Sequence, residues 1–119
     1  MHSRLTVAKA RTWEIWVYVD SFHDGDTFYG YASLGANVYL GNSDNLLRFR
    51  CARINAPELS TGKPGSDATD YANKIAPRGK YQATSTGLDN YGRPLLDLHL
   101  ASGLFSDAML TAGMAIRYA

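Results

Sequence analysis

The chain of 119 residues has one cysteine, Cys51, and two glutamates, Glu14 and Glu58. A single thiol excludes an internal disulfide and a cysteine-built zinc centre, and it suits a reducing compartment. An excess of one charge is also missing: twelve Lys and Arg stand against eleven Asp and Glu, a formal net charge of +1. The chain therefore cannot coat a nucleic acid through bulk charge, and any phosphate it recognises must be met by locally placed groups. No stretch approaches about 18 apolar residues, so a membrane-spanning helix is not expected. The segment Met1 to Arg11 carries cations without the apolar core of a signal peptide, which predicts a cytoplasmic protein.

What the chain does have is apolar matter for one core. Hydrophobic residues make up 45% and charged residues 19%, a balance that excludes a disordered chain. One domain is expected over residues 13–119, preceded by an N-terminal extension over residues 1–12. The run Trp13 to Phe22 is dense in aromatic and β-branched residues and reads as a strand. His23-Asp24-Gly25-Asp26 supplies turn chemistry and Thr27 to Tyr31 resumes β character, which predicts a hairpin with Asp24 and Asp26 at its mouth. A further run covers Ala36 to Leu40. From Leu47 the chain alternates, with Leu47, Phe49 and Cys51 on one face and Arg48 and Arg50 on the other. A helix is expected over Ser66 to Ala76, stopped by Pro77. Two strands follow over Lys80 to Thr86 and Arg93 to Leu100, then a short helix carrying Phe105, Ala108, Met109 and Ala112 and ended by Gly113. Antiparallel strands with helices inserted suit a small β-barrel of the OB-fold kind, five strands and two helices in an α+β chain.

Four groups of residues could carry chemistry. Asp24-Gly25-Asp26 can aim two carboxylates at a hard cation, though the same residues also make an ordinary hairpin turn. Arg50, Asn55 and Glu58 put a guanidinium, an amide and a carboxylate at a strand end, or else Arg50 and Glu58 form a surface ion pair. Asp89-Asn90-Tyr91-Gly92-Arg93 offers a second guanidinium, whose planar fork matches phosphate, in what also reads as a solvated turn. Lys63, Lys74, Arg78 and Lys80 read as a basic rim or as solvated surface charge.

Taken in order, Asp24-Gly25-Asp26-Thr27-Phe28, Arg50 with Asn55-Ala56-Pro57-Glu58, Gly65-Ser66-Asp67-Ala68, Asp89 to Arg93, and Leu110 to Ala115 resemble the motifs of the staphylococcal nuclease (thermonuclease) family. The resemblance runs from about Val17 to the C-terminus. It implies an OB-fold nuclease that hydrolyses phosphodiester bonds of DNA or RNA with one calcium ion, other divalent cations being alternatives, and leaves 5′-hydroxyl and 3′-phosphate ends. It implies Asp26 and the Ala56 carbonyl as metal ligands, with Asp24 supporting the metal from behind. Glu58 is then the general base or the group that orients water, and Arg50 and Arg93 grip the phosphate.

Asn55 stands where the family has a second metal-binding aspartate, so weaker metal affinity is expected, since calcium sites depend on ligand charge. The resemblance stops at Tyr118-Ala119, short of the C-terminal helix and distal tyrosines of secreted members, and weaker base stacking is expected in turn. The partner implied is DNA or RNA as substrate, with no membrane, and the protein is expected to be a monomer. The competing reading is a catalytically weak or inactive OB-fold module that holds nucleic acid or a protein without cutting it.

Overall fold

The computed structural model of the protein describes residues 12–118. The extension expected over residues 1–12 thus lies, apart from Thr12, outside the described residues. The chain runs β1 (Trp13–Asp24), β2 (Thr27–Ser33), β3 (Tyr39–Leu40), β4 (Leu47–Arg50), β5 (Ile54–Asn55), a 3-10 turn (Leu59–Thr61), α1 (Lys63–Ile75), β6 (Gly79–Ser85), β7 (Asp97–Leu100), β8 (Gly103–Leu104), α2 (Phe105–Thr111) and β9 (Ile116–Arg117). Seven strands form one sheet in the order β3-β2-β1-β6-β7-β8, with β4 also paired to β2, while β5 and β9 pair separately. All of these ladders are antiparallel. It is a small α+β domain, and among the described residues no helix is long and apolar enough to cross a membrane.

The long strand β1 is bent by two bulges. One residue more lies on β1 than on β2 between Val19 and Ser21, and again between Phe22 and Asp24. A bulge leaves its extra residue unpaired and turns the strand, so the inward positions step from Ile15, Val17 and Val19 to Phe22 rather than Ser21. The Phe22 N–H is taken up by Asn73 Oδ1 of α1 at 2.9 Å, which fixes the bent end of the strand to the helix. Inside the curve the rings of Phe105, Phe22, Phe28 and Phe49 follow one another at centroid separations of 5.1, 5.5 and 5.6 Å. These contacts tie α2 to β1, β2 and β4 through apolar burial and ring packing together. Cys51 is buried in the same core, where loss of solvent pushes its thiol far up and leaves it an inert small hydrophobe.

Several boundaries differ from the sequence expectation for identifiable reasons. The run over Ala36 to Leu40 shrinks to Tyr39–Leu40 because Gly35, Ala36 and Asn37 all take positive φ, which a strand cannot contain. Helix α1 begins at Lys63 rather than Ser66, with Pro64 in its first turn, where the missing N–H costs nothing. The strand expected over Arg93 to Leu100 starts only at Asp97. Ahead of it, Leu96 bonds the end of β4: its N–H donates to Arg50 O at 3.1 Å and its carbonyl accepts from Ala52 N at 2.8 Å, a parallel contact. Helix α2 ends as expected at Gly113, whose φ of +72° allows Gly113 N–H and Met114 N–H to bond back to Leu110 O and Met109 O.

Candidate functional site

The Asp24-Gly25-Asp26 turn is a seat in the core rather than an exposed hairpin tip. A Cβ on Gly25 would stand 2.8 Å from Ala56 Cβ, 3.0 Å from Ala68 Cβ and 3.2 Å from Met109 Cε, so only glycine lets the turn enter between the Ala56 turn and both helices. This inserts Asp26, which is 6% exposed. A buried carboxylate needs partners, and Asp26 has them. Its Oδ1 accepts from Thr27 Oγ1 at 2.9 Å, and its Oδ2 accepts from the Ala56 N–H at 2.8 Å and pairs with Arg50 Nη1 at 2.6 Å. Arg50 in turn donates from Nη2 to Ile54 O and to Asn55 Oδ1, both at 3.2 Å. Asp26, Arg50, Asn55 and Ala56 are therefore one hydrogen-bonded group, drawn from the β1–β2 turn, β4 and β5.

Asp24 lies beside this group in a different condition. Its Oδ1 is buried with no hydrogen-bond partner, and burial, followed by the charges of Asp26 and Glu58, holds its carboxyl above the usual aspartate range. Glu58 is itself exposed. Its backbone is held firmly: its carbonyl accepts from Thr61 N at 2.9 Å and Thr61 Oγ1 at 2.6 Å, and Gly65 is needed because a Cβ there would collide with that same carbonyl. The first turn of α1 thus seats the segment that presents Glu58.

The two arginines named from the sequence share a cleft of about 400 Å³, whose lining also includes Thr27, Arg48, Tyr91 and Tyr118. Each guanidinium lies over a tyrosine ring, Arg50 over Tyr118 at 5.6 Å and Arg93 over Tyr91 at 5.1 Å. Arg93 is steered by Asp89, which accepts from its Nε at 3.2 Å and from its backbone N–H at 2.9 Å. No protein-family model and no curated protein matches this chain. Its function is read from the site.

Among the described residues no three His, Cys, Asp or Glu side chains gather as a ready metal cage. The oxygen-only set of Asp24, Asp26, Asn55 and the Ala56 carbonyl nevertheless suits a hard cation, and the unpartnered Asp24 oxygen among mutually repelling carboxylates is the feature a cation would relieve. Sequence reasoning missed two participants. Arg48 and Tyr118 belong to the cleft together with Tyr91 of the Asp89 to Arg93 motif. His23, ahead of the turn, contacts Tyr29 Oη through Nδ1 at 3.2 Å. His99 meets Thr84 Oγ1 at 2.6 Å near the sheet's outer face. Of the four rim cations, Lys63 is paired with Asp67 and Arg78 with Asp20.

Proposed function

We propose that the protein is a metal-dependent nuclease of the staphylococcal nuclease kind, hydrolysing phosphodiester bonds of DNA or RNA to 5′-hydroxyl and 3′-phosphate ends. The observation that carries the reading is the single cleft holding Arg50 and Arg93 next to the buried Asp26 and the unpartnered oxygen of Asp24. An OB-like barrel is part of the same reading. Five strands have four residues or more, and a parallel bridge between Cys51, just after β4, and Leu96, just before β7, supports it.

In this mechanism Asp26, Asn55 and the Ala56 carbonyl would hold calcium, with Asp24 supporting the ion from behind. When bound, the ion supplies positive charge to a nonbridging phosphate oxygen. Arg93 and Arg50 bind the phosphate and stabilise the charge that grows on its oxygens during in-line attack. Arg50 engages one Nη1–H with Asp26 and both Nη2–H groups with Ile54 and Asn55, which keeps its plane fixed and leaves its Nε–H and the second Nη1–H for other partners. The tyrosine rings hold both guanidinium planes, so little ordering remains to be done when substrate arrives. Glu58 orients the attacking water and accepts its proton.

The second reading, a module that binds without cutting, is favoured by one feature: Asn55 brings no charge and Asp26 is already neutralised by Arg50 at 2.6 Å. Incubation of single-stranded and duplex oligonucleotides with calcium, magnesium, manganese or chelator separates the two. Metal-dependent cleavage that is lost in Glu58→Gln and Arg93→Ala is expected. Retention of oligonucleotide in a gel shift, with no cleavage under any metal, would overturn the nuclease reading in favour of the module.

A further inference from the structure

A second surface, away from the Asp26 group, is built for flat ring systems. On the outer face of the sheet Tyr18 of β1 stands opposite Tyr31 of β2 on one side and Lys80 of β6 on the other. Trp16 stands opposite Ser33, and Ser33 opposite Tyr39 of β3. The rings of Tyr18 and Tyr31 stack at 5.1 Å and 23°, while Trp16 and Tyr39 are 52% and 56% exposed. With Lys80 these aromatics line a groove of about 480 Å³. The acidic residues nearby are engaged: Asp20 pairs with Arg78, and Glu14 accepts from Thr84 Oγ1.

The groove is joined to the arginine cleft along one strand. Alternate residues of a strand share a face, so Thr27, Tyr29, Tyr31 and Ser33 lie in one row over roughly 20 Å. Thr27 lines the cleft, Ser33 and Tyr31 line the groove, and between them Tyr29 lies under Arg48 at 5.5 Å and accepts its Nη2 hydrogen bond at 3.2 Å. Rings and cations thus alternate from Arg93 and Tyr91 to Tyr39 and Lys80.

We propose that this row is a track for single-stranded polynucleotide, whose bases stack on Trp16, Tyr31 and Tyr39 while Arg48 and Lys80 meet its phosphates. The proposal rests on the nucleic-acid reading of the cleft for the direction in which the strand runs. Stacking on exposed rings is open to unpaired bases, since every base has a π-face, and closed to a duplex whose bases are already stacked inside. The few cations of the row, in a chain of net charge +1, give a duplex little counter-ion release to gain.

The test is anisotropy of a labelled twelve-residue oligothymidylate in chelator, so that nothing is cut. Wild type binds the single strand at least tenfold more tightly than a duplex of equal length. Trp16→Ala and Tyr39→Ala each weaken it about tenfold, and Trp16→Tyr retains most of the affinity; near-native far-UV circular dichroism accompanies each variant. Tyr39 lies on a two-residue edge strand, so its variant remains informative if Trp16→Ala fails to fold. No binding by wild type, unchanged affinity in both alanine variants, or equal affinity for duplex would overturn the track. Cleavage with metal is read separately, so an absent activity with intact oligothymidylate binding sinks the nuclease reading alone, and intact cleavage with unchanged variants sinks the track alone.

Discussion

Arg50 and Arg53 stand three residues apart, and each meets an aspartate whose side chain is less than a tenth exposed, Asp26 at 2.6 Å and Asp97 at 3.4 Å. The two pairs do different work. Asp97 is filled from all sides: Ser106 N–H and Ser106 Oγ donate to it at 3.0 and 2.6 Å, and Arg53 Nη1 also donates to Ser106 Oγ at 2.8 Å while Nη2 reaches Asp107 at 3.2 Å. This network binds β7 and the start of α2 to the chain between β4 and β5, with Arg53 at a φ of +73°. Asp26 is also satisfied, but its arginine faces the cleft and its neighbour Asp24 keeps an oxygen without a partner. A fully satisfied buried network specifies the fold, and a partly satisfied one beside a cleft is available for chemistry.

If that contrast holds, damage to the Arg53 pair should appear as lost stability and damage around the Arg50 pair as lost activity. Asp97→Ala leaves two buried Ser106 donors without an acceptor, while Arg53 keeps Asp107, and should lower unfolding free energy by about 2–4 kcal/mol in urea titration, with cleavage per folded molecule retained. Normal stability with lost cleavage would break the contrast outright. Glu58→Gln should do the reverse, reducing cleavage roughly 100-fold at unchanged melting temperature; unchanged turnover would remove Glu58 from the role of base.

Asn55→Asp adds one negative ligand beside Arg50 and Asp26. It should lower the metal concentration for half-maximal cleavage about tenfold, or roughly 1.4 kcal/mol. An equal or weaker apparent affinity in metal titration would mean that the group has been rebuilt around the neutral amide. The smallest effect concerns Asp24. Because its folded-state carboxyl is held above the ordinary range, first by burial, the folded protein binds a proton that the unfolded chain has released, and stability falls as pH rises through that window. Asp24→Asn should abolish this fall, so that the variant gains on wild type between about pH 4 and about pH 7. Parallel urea midpoints at the two pH values would show Asp24 to be unstrained.

The sequence made one half of this contrast far more legible than the other. Turn chemistry, alternation and an ordered set of motifs all fall on Asp26, Arg50 and Asn55, and the structure brings the three side chains into one hydrogen-bonded group. Arg53, Asp97 and Ser106 gave no signal: they sit 44 and 9 positions apart along the chain, in segments whose periodicity says nothing about each other. The same reason hid the pairing of β5 with β9, two residues long on each side. The bulges of β1 were also illegible, since Trp13 to Phe22 reads as one unbroken strand and only its partner's register reveals the extra residues. By contrast α2 and its end were readable, because an apolar stripe and a left-handed glycine are local features.

The seat of Gly25 has a consequence for how the protein breathes. The Ala56 N–H is donated to a buried carboxylate that the Gly25 turn holds in place, with Ala68 of α1 and Met109 of α2 pressed against the same glycine. Solvent can replace that amide hydrogen only when the turn leaves its seat, and leaving it parts both helices from the sheet. Exchange at Ala56 should therefore be as slow as exchange in the deepest core, whereas the amide of a hairpin tip in water exchanges through local fraying. On heating, the loss of this anchoring turn and the melting of the whole domain then become one event, with no intermediate temperature at which the scaffold survives without its site.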